Sequence, residues 1–271
     1  MARGLAPGDC PESMNLDEPG VLAEVASLYL EAGADLITTN TFGGSPLKLG
    51  SHDLDDRTEE INRTAVEVLG PVTRDRAYIS ASVGPTGKLL EPYGDTPQEV
   101  VAEAFGRQIG ALIQAGADIV CIETMIDVRE AELAVRAARS FSTDVPLIAT
   151  MTFDATPRGF FTTMGTTIEQ ACTTLVEAGA DVVGSNCGNG IDAMIEIAAE
   201  FIRHASVPVI IQSNAGLPEN RGGELVYPES PDFMAERVSR LMDLGVGIIG
   251  GCCGTTPDHI RAIRAAIDSR R

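Results

Sequence analysis

Histidine, basic residues and long apolar runs are all scarce in this chain of 271 residues. Its three histidines, His52, His204 and His259, are too few for a histidine-rich metal site, so a transition metal would need sulfur for most of its ligands. Twenty Lys and Arg against 39 Asp and Glu give a net charge of −19, which repels a phosphate backbone and argues against nucleic acid as a partner. No apolar run approaches the roughly 18 residues that span a bilayer, and the opening Met1-Ala-Arg-Gly-Leu-Ala-Pro7 lacks the apolar stretch of a secretory signal. A cytoplasmic protein without membrane contact is expected. Six cysteines are too sparse for a disulfide scaffold, leaving them as buried small hydrophobes or as metal and redox ligands.

With 44% hydrophobic residues the chain can bury one large core, and residues 1–271 read as a single domain. A phrase recurs four times: Glu31-Ala-Gly-Ala-Asp-Leu-Ile-Thr-Thr-Asn40, Gln114-Ala-Gly-Ala-Asp-Ile-Val-Cys-Ile-Glu123, Glu177-Ala-Gly-Ala-Asp-Val-Val-Gly-Ser-Asn186, and the looser Asp243-Leu-Gly-Val-Gly-Ile-Ile-Gly-Gly-Cys252. Each reads as a helix exit through a left-handed glycine into a strand buried on both faces, the signature of a parallel sheet. Apolar runs at Tyr78–Val83, Pro146–Met151 and Pro208–Ser213 bring the strands to seven. Helical patterns fall at 19–32, 54–69, 96–115, 127–141, 166–178, 189–204, 231–244 and 257–269, several opened by capping residues such as Thr96-Pro97, Asp127 and Thr256-Pro257. Eight helices alternating with seven strands predict an α/β protein, a (β/α)8 TIM barrel with its first strand missing, because residues 1–15 hold no buried-strand pattern.

Functional groups in such barrels sit at the carboxyl ends of strands. Counting the missing strand as first, Cys187 ends the sixth strand and Cys252-Cys253 the eighth, roughly two strand spacings or 10 Å apart. Neighbouring residues of a regular strand face opposite ways, so Cys252 and Cys253 share an ion only where the strand bends, and Gly250, Gly251 and Gly254 allow that bend. Three thiolates around Zn²⁺ leave a fourth position open, the arrangement of a catalytic site. A vicinal disulfide at Cys252-Cys253 is the competing arrangement. Cys10, Cys121 and Cys172 read as buried thiols.

Gly184-Ser-Asn-Cys-Gly188 followed by Gly250-Gly-Cys-Cys-Gly-Thr-Thr-Pro257 resembles the zinc motif of the homocysteine S-methyltransferases. The similarity runs almost end to end, through Thr39-Asn-Thr-Phe-Gly43, Ser82-Val-Gly-Pro-Thr-Gly-Lys-Leu-Leu90, Ile122-Glu-Thr124, Met151-Thr-Phe153 and Asn214-Ala-Gly216, and the Ser82–Leu90 stretch looks closer to the cobalamin-dependent branch than to the betaine branch. The resemblance implies a zinc-dependent transfer of a methyl group to the thiol of homocysteine, giving methionine. Methylcobalamin or a separate corrinoid protein, S-methylmethionine, betaine and methyltetrahydrofolate are the candidate donors.

By the same resemblance Glu123 receives the amino group of homocysteine, and Asn214 hydrogen-bonds the substrate or supports the metal shell. The plainer alternatives are a helix-cap partner near Thr124 and Asp127 for Glu123, and a turn residue before Gly216 for Asn214. Asn40 and Asn186 are weaker candidates, since asparagine ends many strands. The chain departs from the family in lacking an opening strand that ends in an Asp-Gly-Ala-Met-Gly motif; Pro11-Glu-Ser-Met-Asn-Leu16 corresponds to the loop after it. Two unpaired barrel edges, an incomplete substrate pocket and weak turnover are therefore expected. A zinc-binding homologue with a regulatory rather than catalytic role is the alternative. The segment Thr156–Met164 reads as a mobile lid, a docking surface for the methyl donor, or an ordinary loop.

Overall fold

The computed structural model describes Leu5 and residues 8–270. Its strands are β1 (Leu36–Thr38), β2 (Tyr78–Val83), β3 (Ile119–Met125), β4 (Leu147–Met151), β5 (Asp154–Thr156), β6 (Gly159–Phe161), β7 (Val182–Asn186), β8 (Val209–Ser213), β9 (Glu219–Arg221), β10 (Glu224–Val226) and β11 (Ile248–Gly251). The main sheet has the order β1-β2-β3-β4-β7-β8-β11, while β5–β6 and β9–β10 are separate antiparallel hairpins. Helices Pro19–Glu31, Thr58–Thr73, Gln98–Gln114, Val128–Phe141, Ile168–Ala178, Ile191–His204, Pro231–Leu244 and Pro257–Asp268 alternate with the sheet strands. A doubly wound sheet reverses its strand order partway; here the order follows the chain throughout, as in a (β/α)8 barrel. Among the described residues β1 pairs with β2 alone and β11 with β8 alone.

The repeated phrase does what its residues demand. Gly33, Gly116, Gly179 and Gly245 have φ of +94°, +93°, +117° and +89°, so each helix exit turns through a conformation that a side chain would strain. The parallel register then follows without bulges, for example Val183 opposite Val209 and Ile248 opposite Ile210. Close strand approach also fixes residue choice: a Cβ at Gly184 would strike the carbonyl oxygen of Ile210.

Two compact units emerge. The first runs to Leu30 and adds Asp35–Glu123 and Arg129–Leu147; the second holds Glu31–Ala34, Thr124–Val128 and the chain from Ile148 onward. In the first, Val101, Phe105, Ile109 and Leu112 line one face of helix Gln98–Gln114 and are fully buried, each side chain contributing about 1.5–3 kcal/mol. In the second, Phe153 packs edge-on against Phe201 with ring centres 5.6 Å apart.

Three local expectations change. The helix expected from 54 begins at Thr58, because Asp55–Arg57 winds as a tighter 3-10 turn. Pro97 takes the cap position of helix Gln98–Gln114 with no side-chain hydrogen bond, so Thr96 is not its cap. The first part of 156–164 is the β5–β6 hairpin, closed by Gly159 at φ +114°. Residues 1–4 and 6–7 of the amino-terminal stretch lie outside the described residues, while Pro11–Ser13 and Met14–Asp17 form successive helical turns.

Candidate metal centre at the strand ends

In the second unit, β7 and β11 flank β8, and their carboxyl ends carry Cys187, Cys252 and Cys253. The last rung of β7 is the hydrogen bond from the Cys187 N–H to the Gln212 carbonyl at 3.1 Å. Cys187 then adopts φ +62° and Gly188 φ +74°, and the Asn189 N–H returns to the Cys187 carbonyl at 2.9 Å, a reversal inside three residues. Left-handed backbone at a cysteine costs about 1–3 kcal/mol, and here it aims the sulfur.

The β11 end solves the problem of adjacent cysteines by ending the strand between Gly251 and Cys252. The Cys252 N–H makes a 2.7 Å bond to Ser213, and the Thr255 N–H and hydroxyl both return to the Cys252 carbonyl, at 3.1 and 2.7 Å. The resulting turn needs positive φ at its third residue, which Gly254 supplies at +79°. A Cβ there would also collide with the Tyr227 ring lying over the turn.

The three sulfurs lie within 4.8 Å of one another, with Cys187 Sγ and Cys253 Sγ 3.6 Å apart. Tetrahedral zinc with Zn–S bonds near 2.3 Å places sulfurs roughly 3.8 Å apart, so the donor set fits such an ion in both type and spacing. All six cysteines are free thiols, so Cys252-Cys253 is not a vicinal disulfide here.

Three thiols this close cannot all ionise together without a counter-charge. Hydrogen bonds from Cys187 and then Cys252, helped by Tyr227, stabilise the thiolate of Cys253 and pull its pKa far down. Cys252 is held protonated by the bonds it gives to Cys187 and Cys253 and by its burial. For Cys187 the bond with Cys252 pulls downward, but the bond with Cys253 and burial outweigh it. Without an ion the cluster therefore favours the thiolate at Cys253, its most exposed sulfur, over those at Cys187 and Cys252.

Around the sulfurs stands a layer of amides and hydroxyls. Asn214 Oδ1 accepts the Cys253 N–H at 3.0 Å, so its side chain holds a cysteine's backbone in place. Asn186 is fully buried, and its amide bonds Thr124, Thr150 and the Cys252 sulfur. Thr124 has φ +61°, uncommon for a β-branched residue. Asn186 is only a weak candidate by sequence, Thr124 is legible only as a member of the Ile122-Glu-Thr124 motif, and nothing in the sequence singles out Tyr227.

The first unit presents different strand ends. Glu123, near the end of β3, accepts a short hydrogen bond from the Ser82 hydroxyl, which makes it a partner of β2. Ser82 is itself tied to the loop after β1, its N–H bonding Thr39 Oγ1 at 3.0 Å and its carbonyl accepting from Thr41 Oγ1 at 2.7 Å. Glu130 secures the loop after β2 by accepting the N–H and hydroxyl of Thr86 at 2.8 and 2.6 Å. Asn40 donates to the Pro11 carbonyl and to Asn15 Oδ1, a fastening role for the amino-terminal turns. Among the described residues no helix is long and apolar enough to cross a membrane.

Comparison with known proteins agrees with this picture. Residues 4–267 match the family model described as homocysteine S-methyltransferase. The methionine synthase of Mycobacterium leprae is 33% identical over 269 residues and that of Mycobacterium tuberculosis 34% over 270, in each case 95% of this chain and 22% of the relative. The chain thus spans about a fifth of the length of these curated relatives. In fold it is similar to the homocysteine methyltransferase MmuM of Escherichia coli. The oxidized form gives a TM-score of 0.78 at 21% identity and the metallated form 0.79 at 20%, each covering 97% of this chain and 91% of the other. From the match over residues 4–267 and the strand-end motifs that it takes in, the chain belongs to the homocysteine S-methyltransferase family.

Proposed function

We propose that this chain is a zinc-dependent, homocysteine-binding barrel domain that serves transfer of a methyl group to the thiol of homocysteine, giving methionine, and that it is most like the cobalamin-dependent branch. The carrying observation is the approach of the Cys187, Cys252 and Cys253 sulfurs to within 4.8 Å at the strand ends. These three would hold the ion and leave one position for the substrate sulfur. Bound there, zinc supplies the Lewis acidity that keeps a thiol with an ordinary pKa near 8.5 in its thiolate form at neutral pH.

The chain's own residues do the positioning. The reversal after Cys187 and the turn at Cys252–Thr255 present the sulfurs, and Asn214 fixes the Cys253 backbone. We assign Glu123 to the amino group of homocysteine on its place in the Ile122-Glu-Thr124 motif, its carboxylate oriented by Ser82. No side chain is needed as nucleophile, because the substrate's sulfur would attack the methyl carbon while the bond to the donor breaks and its electron pair leaves with the donor. The name methionine synthase, shared by relatives at 33% and 34% identity, supports methionine as the product, and the likeness of the Ser82–Leu90 stretch to the cobalamin-dependent branch favours methylcobalamin, free or on a corrinoid protein, as donor. The reading keeps the chain in the cytoplasm, where thiols stay reduced.

The test loads the reduced chain with zinc and supplies homocysteine with methylcobalamin, S-methylmethionine, betaine or methyltetrahydrofolate in turn. About one zinc per chain and methionine formed fastest from methylcobalamin are expected. Near-zero zinc in the reduced protein would defeat the metal assignment. Full zinc with no methionine from any donor would leave the chain a non-catalytic zinc protein.

A further inference from the structure

Asn186 does more than end a strand. Its side chain is fully buried in the second unit, and Thr124 and Thr150 determine which way the amide faces. The Thr124 backbone N–H can only donate, and it points at Asn186 Oδ1 from 2.8 Å; the Thr150 hydroxyl donates to the same oxygen at 2.8 Å. The nitrogen is thereby placed on the opposite side, where it donates to Thr124 Oγ1 at 2.7 Å and to Cys252 Sγ at 3.8 Å. The left-handed backbone of Thr124, φ +61°, lets one residue offer both its N–H and its hydroxyl to the same amide. A buried carboxamide held at three corners thus aims its fourth at a sulfur.

We infer that Asn186 is a positioning residue that fixes Cys252 and, by donating an N–H to its sulfur, tempers the charge this thiolate passes to a bound metal. The inference rests on the zinc reading above. A hydrogen bond lowers the energy of the sulfur lone pairs, so the amide both orients the ligand and reduces its electron donation. An aspartate of the same shape would keep the acceptor oxygen for Thr124 and Thr150 and turn a second oxygen against the sulfur.

Two readouts independent of turnover test this: zinc affinity by chelator competition, and the sulfur-to-metal charge-transfer band of the cobalt(II)-loaded protein. Asn186→Asp is expected to weaken zinc binding about 10–100-fold and to move the band to longer wavelength. Thr150→Val removes a bond from the amide oxygen without touching the sulfur, and should keep the wild-type band because Thr124 still holds the amide. An unchanged affinity and band in Asn186→Asp, or the same band shift in both variants, overturns the inference while leaving the zinc site standing. A wild-type chain that takes up neither metal overturns the zinc reading and this inference with it. Should Asn186→Asp fail to fold, the ¹¹³Cd-loaded, ¹⁵N-labelled wild type decides. A through-bond correlation between cadmium and the Asn186 side-chain amide proton is expected, and its absence overturns the proposal.

Discussion

The strand ends of the two units use different elements of the periodic table. In the first, the ends of β2 and β3 bring the Ser82 hydroxyl to the Glu123 carboxylate, and Glu130 of helix Val128–Phe141 holds Thr86 in the loop after β2. In the second, β7 and β11 end in three sulfurs backed by the amides of Asn186 and Asn214. Oxygen acceptors suit an ammonium or hydroxyl group, whereas clustered thiolates suit a soft metal ion and little else. One repeated helix-exit phrase leads into β3, β7 and β11 alike, and the chemistry is decided by the residues that close or follow it, Glu123 in one unit and Cys187, Cys252 and Cys253 in the other. This division can be broken experimentally at either side.

The largest effect is expected from Cys252→Ala, which should take zinc from about one per chain to near zero by metal analysis. Cys121→Ala, at a buried thiol of β3, should keep its zinc and lose roughly 1 kcal/mol of stability. Equal zinc in the two variants would erase the distinction between clustered and buried sulfurs. The pH dependence sharpens the same point. Cys187 and Cys252 have raised pKa values in the metal-free protein, so an incoming ion must displace their protons. Zinc affinity should climb with pH through neutrality, by about tenfold per pH unit for each proton displaced, as measured by competition at several pH values. An affinity flat in pH would mean that the thiols are not the ligands.

Much of this architecture is readable from residues alone because the deciding signals are local. The left-handed glycines, the β-branched pairs after them and the apolar helix faces place seven strands and eight helices to within a few residues. The cysteines stand out because sulfur is chemically distinct wherever it occurs. The hairpins at Asp154–Phe161 and Glu219–Val226 escape notice because their three-residue strands are largely exposed and, unlike the equally short β1, carry neither the repeated phrase nor an apolar run. Asn186 looks like any strand-terminal asparagine; its role appears only when Thr124, Thr150 and Cys252, distant in sequence, meet around it. The positive φ of Thr124 and Cys187 runs against the preference of both residue types, so tertiary contacts impose it and no local rule predicts it.

Two substitutions probe each side with smaller effects. Gly254→Ala places a side chain at φ +79° against Tyr227 and should distort the Cys252–Thr255 turn, weakening zinc about tenfold or more at a stability cost of about 1–3 kcal/mol. Wild-type zinc affinity in that variant would show that the turn does not set the sulfur positions. Glu123→Gln keeps the Ser82 partnership in shape but removes the negative charge. With zinc content unchanged, its KM for homocysteine should rise about tenfold, the size of a lost charge-assisted bond of 1–2 kcal/mol. A loss of zinc instead would mean that the oxygen-bearing end serves the metal after all.

The smallest effect tests the cysteines assigned no chemistry. Cys172 lies on the buried face of helix Ile168–Ala178, and burial pushes its thiol from 9.0 up to about 12, with the charge of Glu200 adding to the rise and a backbone hydrogen bond opposing it. The fold favours the neutral thiol, so this contribution to stability is fully present below pH 9 and is lost as the pH rises toward 12 and the unfolded chain ionises. Cys172→Ala should therefore be less stable than wild type near pH 8, by about 1 kcal/mol for the small cavity, and the gap should close at about pH 10 and reverse by about pH 11, read as denaturant midpoints of the metal-free proteins. Midpoints that stay parallel across this range would show that the thiol ionises as readily in the fold as outside it. Cys172 would then no longer belong with the inert sulfurs, and the contrast between the strand-end cluster and the core thiols would rest on Cys10 and Cys121 alone.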